Sequence, residues 1–379
     1  MFELAAKLRE DGGGPVHDLS LGNPSLEPPP VWKQAVRSVL EDEPAGMHRY
    51  MTNAGFADVR AFVAEREGKR YGVPLLGDDV VMSVGAAGAL NVLFRTLLDP
   101  GDEVIVPAPY FSEYEHYCLN VDARLRPVPS TDAFGLDVAN IEAAIGERTR
   151  AVLLNSPNNP TGAIYERRQL QALAEVLERA NAERDRPIAV VEDSPYRDLV
   201  HDGAVVESML GLYAHTFLAT SHSKDLGLAG ERIGYLLISP HAMGRELIAR
   251  GAAFCTRVLG FVNAPALMQR VLPRVLADPG GRVQVEVYAR RCRTMAEGLR
   301  ALGFAIPTPR AGFFLFPGLP ASLRDASGGD VALTDRLVSM RTIVVPGTAF
   351  GVPGHLRLSV ATPDEQIEGA LAAFRSICG

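Results

Sequence analysis

The sequence predicts an α/β protein: a three-layer α/β/α large domain built on a mostly parallel sheet, followed by a smaller α+β domain. Three observations predict it. From about residue 80 onward, short continuous apolar runs alternate with amphipathic helical patterns, and strands joined by helices form parallel sheets covered on both faces. The chain has 379 residues, which suits one large domain plus a smaller one. A Gly-Pro break at Asp278-Pro279-Gly280-Gly281 then precedes a long helical pattern over 282–302 and a second group of short strands.

Asp79–Met82 reads as a short strand, and Gly85-Ala86-Ala87-Gly88-Ala89-Leu90 opens a helix. That pattern continues through Leu93, Phe94 and Leu97 until Asp99-Pro100-Gly101 stops it. Glu103–Val106 is the next buried strand, followed by Ala151–Leu154, Ile188–Val191, Thr216–Ala219 and Ile233–Leu237. Between two of these, 167–183 is an amphipathic helix with Leu170, Leu173, Val176 and Leu177 on its apolar side. In the smaller domain, strands are expected at Gly312–Phe316, Ile343–Val345 and Leu356–Ser359, with a last helix over Asp364–Ile377. No internal repeat is evident.

Composition narrows the function class. Hydrophobic residues make up 47%, too many for disorder. With 38 Lys plus Arg against 45 Asp plus Glu, the formal charge is −7 and no long basic run occurs, which argues against nucleic acid as partner. Cys118, Cys255, Cys292 and Cys378 are far apart and form no CxxC pair, so neither a disulfide scaffold nor a structural zinc site is expected. The start, MFELAAKLREDGGG, mixes charge into its apolar residues and is no secretory signal. No apolar run reaches the roughly 18 residues of a membrane span. A cytoplasmic protein with no membrane and no metal is the expectation. No G-x-S-x-G elbow, G-x-G-x-x-G fingerprint or G-x-x-x-x-G-K-[ST] loop occupies the relevant strand ends.

A parallel sheet binds ligands beyond the C-terminal ends of its strands, and five polar groups fall at or just after such ends: Asn159, Asp193, Tyr196, Lys224 and Arg232. They sit in the blocks N-P-T-G, D-x-x-Y, S-x-S-K and R-I-G-Y. Together they supply what pyridoxal 5′-phosphate requires: an amine, a carboxylate for a protonated pyridine nitrogen, donors to O3′ and phosphate ligands. Lys224 is the Schiff-base candidate and the proton carrier. An isolated lysine is ordinarily a solvated surface residue, but this one lies in a serine-flanked block before a Gly-rich stretch. Asp193, set behind a buried strand, is otherwise costly there, and a pyridinium partner explains it; as a turn or helix cap it would need no ligand. Asn159 and Tyr196 are the O3′ donors, although Asn-Pro-Thr-Gly also makes an ordinary turn. For the phosphate, backbone amides at Gly85, Ala86 and Ala87 open a helix, Ser221 and Ser223 offer hydroxyls, and Arg232 offers a bidentate charge.

With these blocks in place, the chain resembles the fold type I pyridoxal-phosphate enzymes, specifically the class I/II aminotransferase family, from Leu21-Gly22-Asn23-Pro24 to Arg357-Leu358-Ser359. The resemblance implies further roles. Phe111, in Pro109-Tyr110-Phe111-Ser112-Glu113-Tyr114, matches the residue stacked on the cofactor ring; by spacing alone, Tyr110 is equally eligible. Tyr50 matches a tyrosine that reaches the phosphate of the neighbouring subunit, which implies a homodimer with active sites at the interface. Arg357 matches the clamp on the substrate α-carboxylate, assisted by Asn159. Gly22 lies on an N-terminal segment, 1–45, that joins the small domain and covers the active site. The large cofactor-binding domain is expected over 46–282 and the small domain over 283–379.

The resemblance implies transfer of an amino group from an L-amino acid to a 2-oxo acid in a ping-pong cycle. Relatives that take acidic substrates carry, in one branch, a lysine where this chain has Ala87. Its absence points to a neutral or aromatic donor with 2-oxoglutarate as acceptor, although Arg49, Arg257 or a partner arginine would also supply a charge. A carbon–sulfur β-lyase uses the same Lys224, Asp193 and Arg357 and is the alternative. A cyclase acting on an activated sulfonium substrate would use them too. A non-catalytic effector domain is the alternative from another class, and the pattern leaves no room for a DNA-binding module. His222, between the phosphate serines, is assigned a structural place, and His48 is a candidate for the substrate mouth. Phe313, Phe314 and Phe316 are assigned to small-domain core except for one face.

Overall fold

The structure is a computed structural model, and it describes residues 2–42, 45–324 and 328–378. Four elements precede the alternating region: α1 (Phe2–Glu10), β1 (His17–Asp18), α2 (Pro30–Asp42) and α3 (Ala57–Tyr71). The alternation then runs β2 (Val80–Ser83), α4 (Ala86–Leu97), β3 (Glu103–Ala108), α5 (Glu113–Leu119), β4 (Arg124–Pro129), α6 (Val138–Ala144), β5 (Thr149–Asn155), α7 (Arg167–Asn181), β6 (Ala189–Asp193), β7 (Thr216–Ser221) and β8 (Gly234–Ile238). Helices α8 (Arg245–Val258) and α9 (Ala266–Ala277) follow.

These strands make one seven-stranded sheet in the order β2-β8-β7-β6-β5-β3-β4. The pairs from β4 to β7 are parallel, and β8 is antiparallel to both its neighbours. Along each strand the side chains alternate between two apolar layers. Val191, Ala219 and Leu236 face α4 and α8, whereas Val190, Leu218 and Leu237 face the opposite helices. Both faces are therefore dry, which is why the strands read as continuous apolar runs. On α7, Leu170, Leu173 and Leu177 pack against Val152 and Val190, as the helical period requires.

The remaining elements are α10 (Val285–Ala301), β9 (Phe314–Leu315), α11 (Ala321–Arg324), α12 (Gly329–Ser339), β10 (Thr342–Ile343), β11 (Val345–Pro346), β12 (Leu356–Ser359) and α13 (Asp364–Cys378). Strands β11, β12 and β9 form a second, antiparallel sheet. The run expected as one strand at 343–345 is divided between two sheets. Ile343 pairs with Asp18 of β1, while Val345 pairs with Arg357. The N-terminal residues thus dock beside the second sheet, and Ser359 donates its amide to Leu19. The strand expected over 312–316 is shorter: Phe314 and Leu315 pair in register with Ser359 and Leu358, while the Gly312 amide turns to the Leu199 carbonyl.

Candidate active site

The C-terminal ends of β5, β6 and β7 open into a cavity of about 350 Å³. Its walls include Gly22 and its neighbours Ser20 and Leu21, Ala86 and Ala87 at the start of α4, and Phe111, Asn159, Asp193 and Tyr196. Ser221, Ser223, Lys224, Arg232, Phe314 and Arg357 complete the polar and aromatic lining. The structure therefore gathers Gly22, Ala86, Ala87, Phe111, Asn159, Asp193, Tyr196, Ser221, Ser223, Lys224, Arg232 and Arg357 around one space. Gly85 lies directly behind it as the residue before α4.

Asp193 is the last residue of β6 and is buried. Its Oδ2 accepts a 2.6 Å hydrogen bond from the Tyr114 hydroxyl, and its Oδ1 is buried without a partner. Burial raises this carboxyl to about 6, with Tyr114 pulling the other way. Asn155, at the end of β5, ties the surroundings together: its amide donates to the Asp193 carbonyl at 2.7 Å, and its oxygen accepts the Asn159 amide at 2.7 Å. The N-P-T-G turn is thereby fixed to the neighbouring strand.

Lys224 Nζ donates to the Gly22 carbonyl at 2.5 Å and lies 5.8 Å from the centre of the Phe313 ring. Burial lowers its ammonium to about 8, and the positive charges of Arg232 and Arg357 act in the same direction. A Cβ at Gly22 would stand 2.6 Å from Cζ of Phe314, so any larger residue would have to displace that buried ring. Arg357 is also buried. Its guanidinium lies 4.9 Å from the Phe314 ring centre and 4.8 Å from that of Phe350. It donates to the Ser20 carbonyl at 2.5 Å and to Asn159 Oδ1 at 3.3 Å, while Nε has no partner. Burial lowers Arg357 to about 10. Among the described residues no carboxylate is hydrogen-bonded to it, so the cation is presented to the cavity for an incoming anion.

The small-residue start of α4 forms a second anion seat. Gly85 has φ +87, and a Cβ there would lie 2.8 Å from Nη2 of Arg232. Ser221 and Ser223 face each other at 3.1 Å between hydroxyls. Arg232 itself occupies the left-handed region at φ 52 and donates to the Ala229 and Val84 carbonyls. Helix-start amides, two hydroxyls and an arginine suit a phosphate. An unpartnered buried carboxylate oxygen, a lysine of lowered basicity and this anion seat together fit a phosphorylated pyridine aldehyde.

Phe111 rather than Tyr110 lines the cavity, and it meets Tyr114 edge-on at 5.6 Å. Tyr110 packs away from it, against Gly351. The Tyr196 ring stands edge-on to Phe313 and Phe314 at 5.8 and 5.7 Å. Of the three small-domain phenylalanines, Phe314 shows a face to the cavity and all three are buried. Tyr50 is not brought to this cavity; it is 91% exposed. His48, Arg49 and Arg257 are exposed and line no part of it. His222 is buried beneath it, with Nδ1 2.9 Å from Asp225 Oδ2. Among the described residues no cluster of three or more His, Cys, Asp or Glu is placed to hold a metal, and no helix is long and apolar enough to cross a membrane.

Sequence reasoning missed Tyr114, Tyr117 and Asn155. Tyr114 follows Phe111 by three residues at the start of α5, so helical spacing was the available signal. Asn155 was visible only as part of an Asn-rich turn.

The sequence profile of the family described as "Aminotransferase class I and II" matches residues 15–374. The aspartate/prephenate aminotransferase of Thermus thermophilus is 31% identical over 99% of this chain and 94% of its own length. The aspartate aminotransferase of Thermotoga maritima is 29% identical over 98% of this chain and 94% of its own. Among solved structures, an amino transferase from Eubacterium rectale superimposes with a TM-score of 0.93 at 32% identity, covering 99% of this chain and 93% of that one. The Thermus thermophilus aspartate aminotransferase solved with maleate gives 0.86 at 30% identity, covering 98% and 94%.

Proposed function

The chain belongs to the aminotransferase class I and II family and is a pyridoxal-5′-phosphate-dependent transferase; from that premise we propose that it moves the amino group of a neutral or aromatic L-amino acid to a 2-oxo acid such as 2-oxoglutarate in a ping-pong cycle. The observation that carries this reading is the buried Asp193, whose Oδ1 has no partner, facing the same cavity as Lys224 and Arg357.

In this reading, Gly85, Ala86, Ala87, Ser221, Ser223 and Arg232 hold the cofactor phosphate. Asp193 pairs with the ring nitrogen, Asn159 and Tyr196 donate to O3′, and Phe111 covers the ring. Bound there, pyridoxal phosphate supplies an electron-withdrawing ring that stabilises negative charge at the substrate Cα. Arg357 grips the α-carboxylate through two parallel N–H bonds and orients the Cα–H bond for removal. Lys224 Nζ takes that proton. Its basicity, lowered to about 8, suits a base working near neutral pH. The Gly22 carbonyl aims the amine.

The lining supports this donor class. Among the described residues the cavity wall carries no cation apart from Lys224, Arg232 and Arg357, and Leu21, Leu90, Phe111 and Phe314 supply its apolar part. A second reading, an acidic donor, is favoured by the names of the relatives, aspartate and aspartate/prephenate aminotransferases. A homodimer is also proposed: Tyr50 is 91% exposed and Phe254 on α8 is 58% exposed, with Leu247 and Val258 on the same helix, an apolar surface suited to a second copy. The division into 1–45, 46–282 and 283–379 and a cytoplasmic location belong to the same proposal.

The test is the visible spectrum of the cofactor-loaded protein titrated with single amino acids and no acceptor. Loss of the long-wavelength band, with one equivalent each of 2-oxo acid and pyridoxamine phosphate, is the expected result. Phenylalanine or a neutral amino acid should act before aspartate; the reverse order selects the acidic reading. Continued release of pyruvate and ammonia with the band retained would reassign the protein to the lyases.

A further inference from the structure

Beneath the cavity lies a second group of buried charges that the proposed chemistry does not use. Glu67, on the last turns of α3, is fully buried. Its Oε1 accepts hydrogen bonds from Nη2 of Arg197 and from the Tyr235 hydroxyl, both at 3.0 Å, and its Oε2 lies 2.9 Å from Nη1 of Arg197. Arg197 is buried too, donating to the Tyr71 hydroxyl at 2.7 Å and to the Tyr235 hydroxyl at 2.8 Å. Asp198 Oδ2 stands 3.7 Å from its Nε.

Such a group joins three elements: α3, the turn after β6, and β8. The placement of its members relates it to the site above. Arg197 directly follows Tyr196, whose ring is buried in the core of the second sheet and stands edge-on to Phe313 and Phe314. Tyr235 pairs in register with Thr220, and its ring meets His222 at 5.7 Å. His222 lies two residues before Lys224 and is pinned at its other side to Asp225. The turn after β6 and the end of β7, just before the Lys224 loop, are further joined where Thr220 donates to the Ser194 carbonyl at 3.0 Å.

A buried ion pair adds little net stability compared with apolar residues of the same volume, but it fixes relative position sharply because each partner tolerates few geometries. We propose that Arg197, clamped by Glu67, Tyr71 and Tyr235, is a positioning residue that sets the Tyr196 hydroxyl and the Lys224 loop against each other. This rests on the cofactor reading of Tyr196 and Lys224 given above. Its consequence is specific: a loosened clamp weakens the hydrogen bond from Tyr196 to an anionic cofactor oxygen, and an anion that loses a donor is easier to protonate.

Three variants test it: Glu67→Gln, the milder Tyr71→Phe, and the charge-free double variant Glu67→Leu/Arg197→Met. Each is measured for kcat and KM, for the pH midpoint of the visible band of the loaded protein, and for the melting temperature without cofactor. Glu67→Gln should lower kcat about 10- to 100-fold with KM for the amino donor little changed, and should move the band midpoint to higher pH. Tyr71→Phe should move both in the same direction by less. The double variant should recover part of the melting temperature lost in Glu67→Gln, with the Tyr71 and Tyr235 hydroxyls left without their partners, while its midpoint and kcat stay displaced. A double variant that regains all three would overturn the proposal, as would single variants that lose stability but keep the wild-type midpoint. A wild-type protein that forms no visible band with pyridoxal phosphate would instead sink the cofactor reading itself.

Discussion

The two ends of the central sheet carry cavities of similar size and opposite character. Beyond the N-terminal strand ends, Thr96, Leu97, Arg150, Arg186, His215, Phe217 and Leu247 surround about 440 Å³. That is more than the 350 Å³ at the C-terminal ends. Yet its cations are already matched. Arg186 meets Asp99 at 2.5 Å and the Leu97 carbonyl at 2.6 Å, and Arg150 meets Asp102 at 3.4 Å. At the C-terminal ends, Asp193 has an orphaned oxygen and Arg357 an orphaned nitrogen, while Lys224 and Arg357 are held by backbone carbonyls rather than carboxylates. Uncompensated buried charge, not cavity volume, distinguishes the end prepared for a charged ligand. Satisfying such charges within the protein would stabilise the fold and remove the reason for a ligand to bind.

The sharpest way to break this comparison is to remove charges from each end in turn. Lys224→Ala should abolish turnover, by about 10⁴-fold or more in kcat, because among the described residues no other amine lines the cavity; single-turnover spectroscopy would measure it. Asp193→Asn should lower kcat of the loaded enzyme by about 10²- to 10³-fold, since a carboxamide cannot keep a ring nitrogen protonated. Arg357→Lys should cost about 2 kcal/mol in kcat/KM, as a point charge replaces a planar fork. Tyr114→Phe should cost about tenfold in kcat by removing the hydrogen bond that Tyr114 donates to the Asp193 carboxylate. At the opposite end, Arg186→Ala should leave kcat unchanged and stability within about 1 kcal/mol, because its ion pair with Asp99 is largely exposed. A large catalytic loss in Arg186→Ala would erase the distinction between the two ends.

Much of the C-terminal end was legible in the sequence, because its residues violate the local pattern. A carboxylate ending an apolar strand, as Asp193 does, and a lysine within a serine block, as Lys224 is, both need explaining. Tyr114 obeys its pattern as a buried aromatic on a helix, so nothing in the sequence marks its hydroxyl as bound to Asp193. The choice between Phe111 and Tyr110 depended on which side of a turn faces the cavity, which only the packing of Tyr110 against Gly351 decides. The strand Arg124–Pro129 escaped notice because Arg-Leu-Arg-Pro-Val-Pro contains two prolines and little apolar character, as an edge strand can. The division of 342–346 between two sheets depends on β1 arriving from the other end of the chain, a non-local pairing with no local signature. Glu67 and Arg197 are 130 residues apart, and no local pattern marks either as buried or as the other's partner.

The most direct test of the central claim is the stability of the cofactor-free protein against pH, wild type beside Asp193→Asn, by chemical denaturation. Asp193 is raised to about 6 in the folded state from an ordinary 3.8. Near pH 3 the carboxyl is neutral in both states and carries no penalty. As pH rises from about 4 through 6 the unfolded chain ionises first, so wild-type stability falls relative to the variant. The account predicts that Asp193→Asn matches wild type near pH 3 and exceeds it by about 3 kcal/mol above pH 7. A variant that is less stable than wild type at neutral pH would show that the Asp193 charge is already compensated within the protein, and the account would fail.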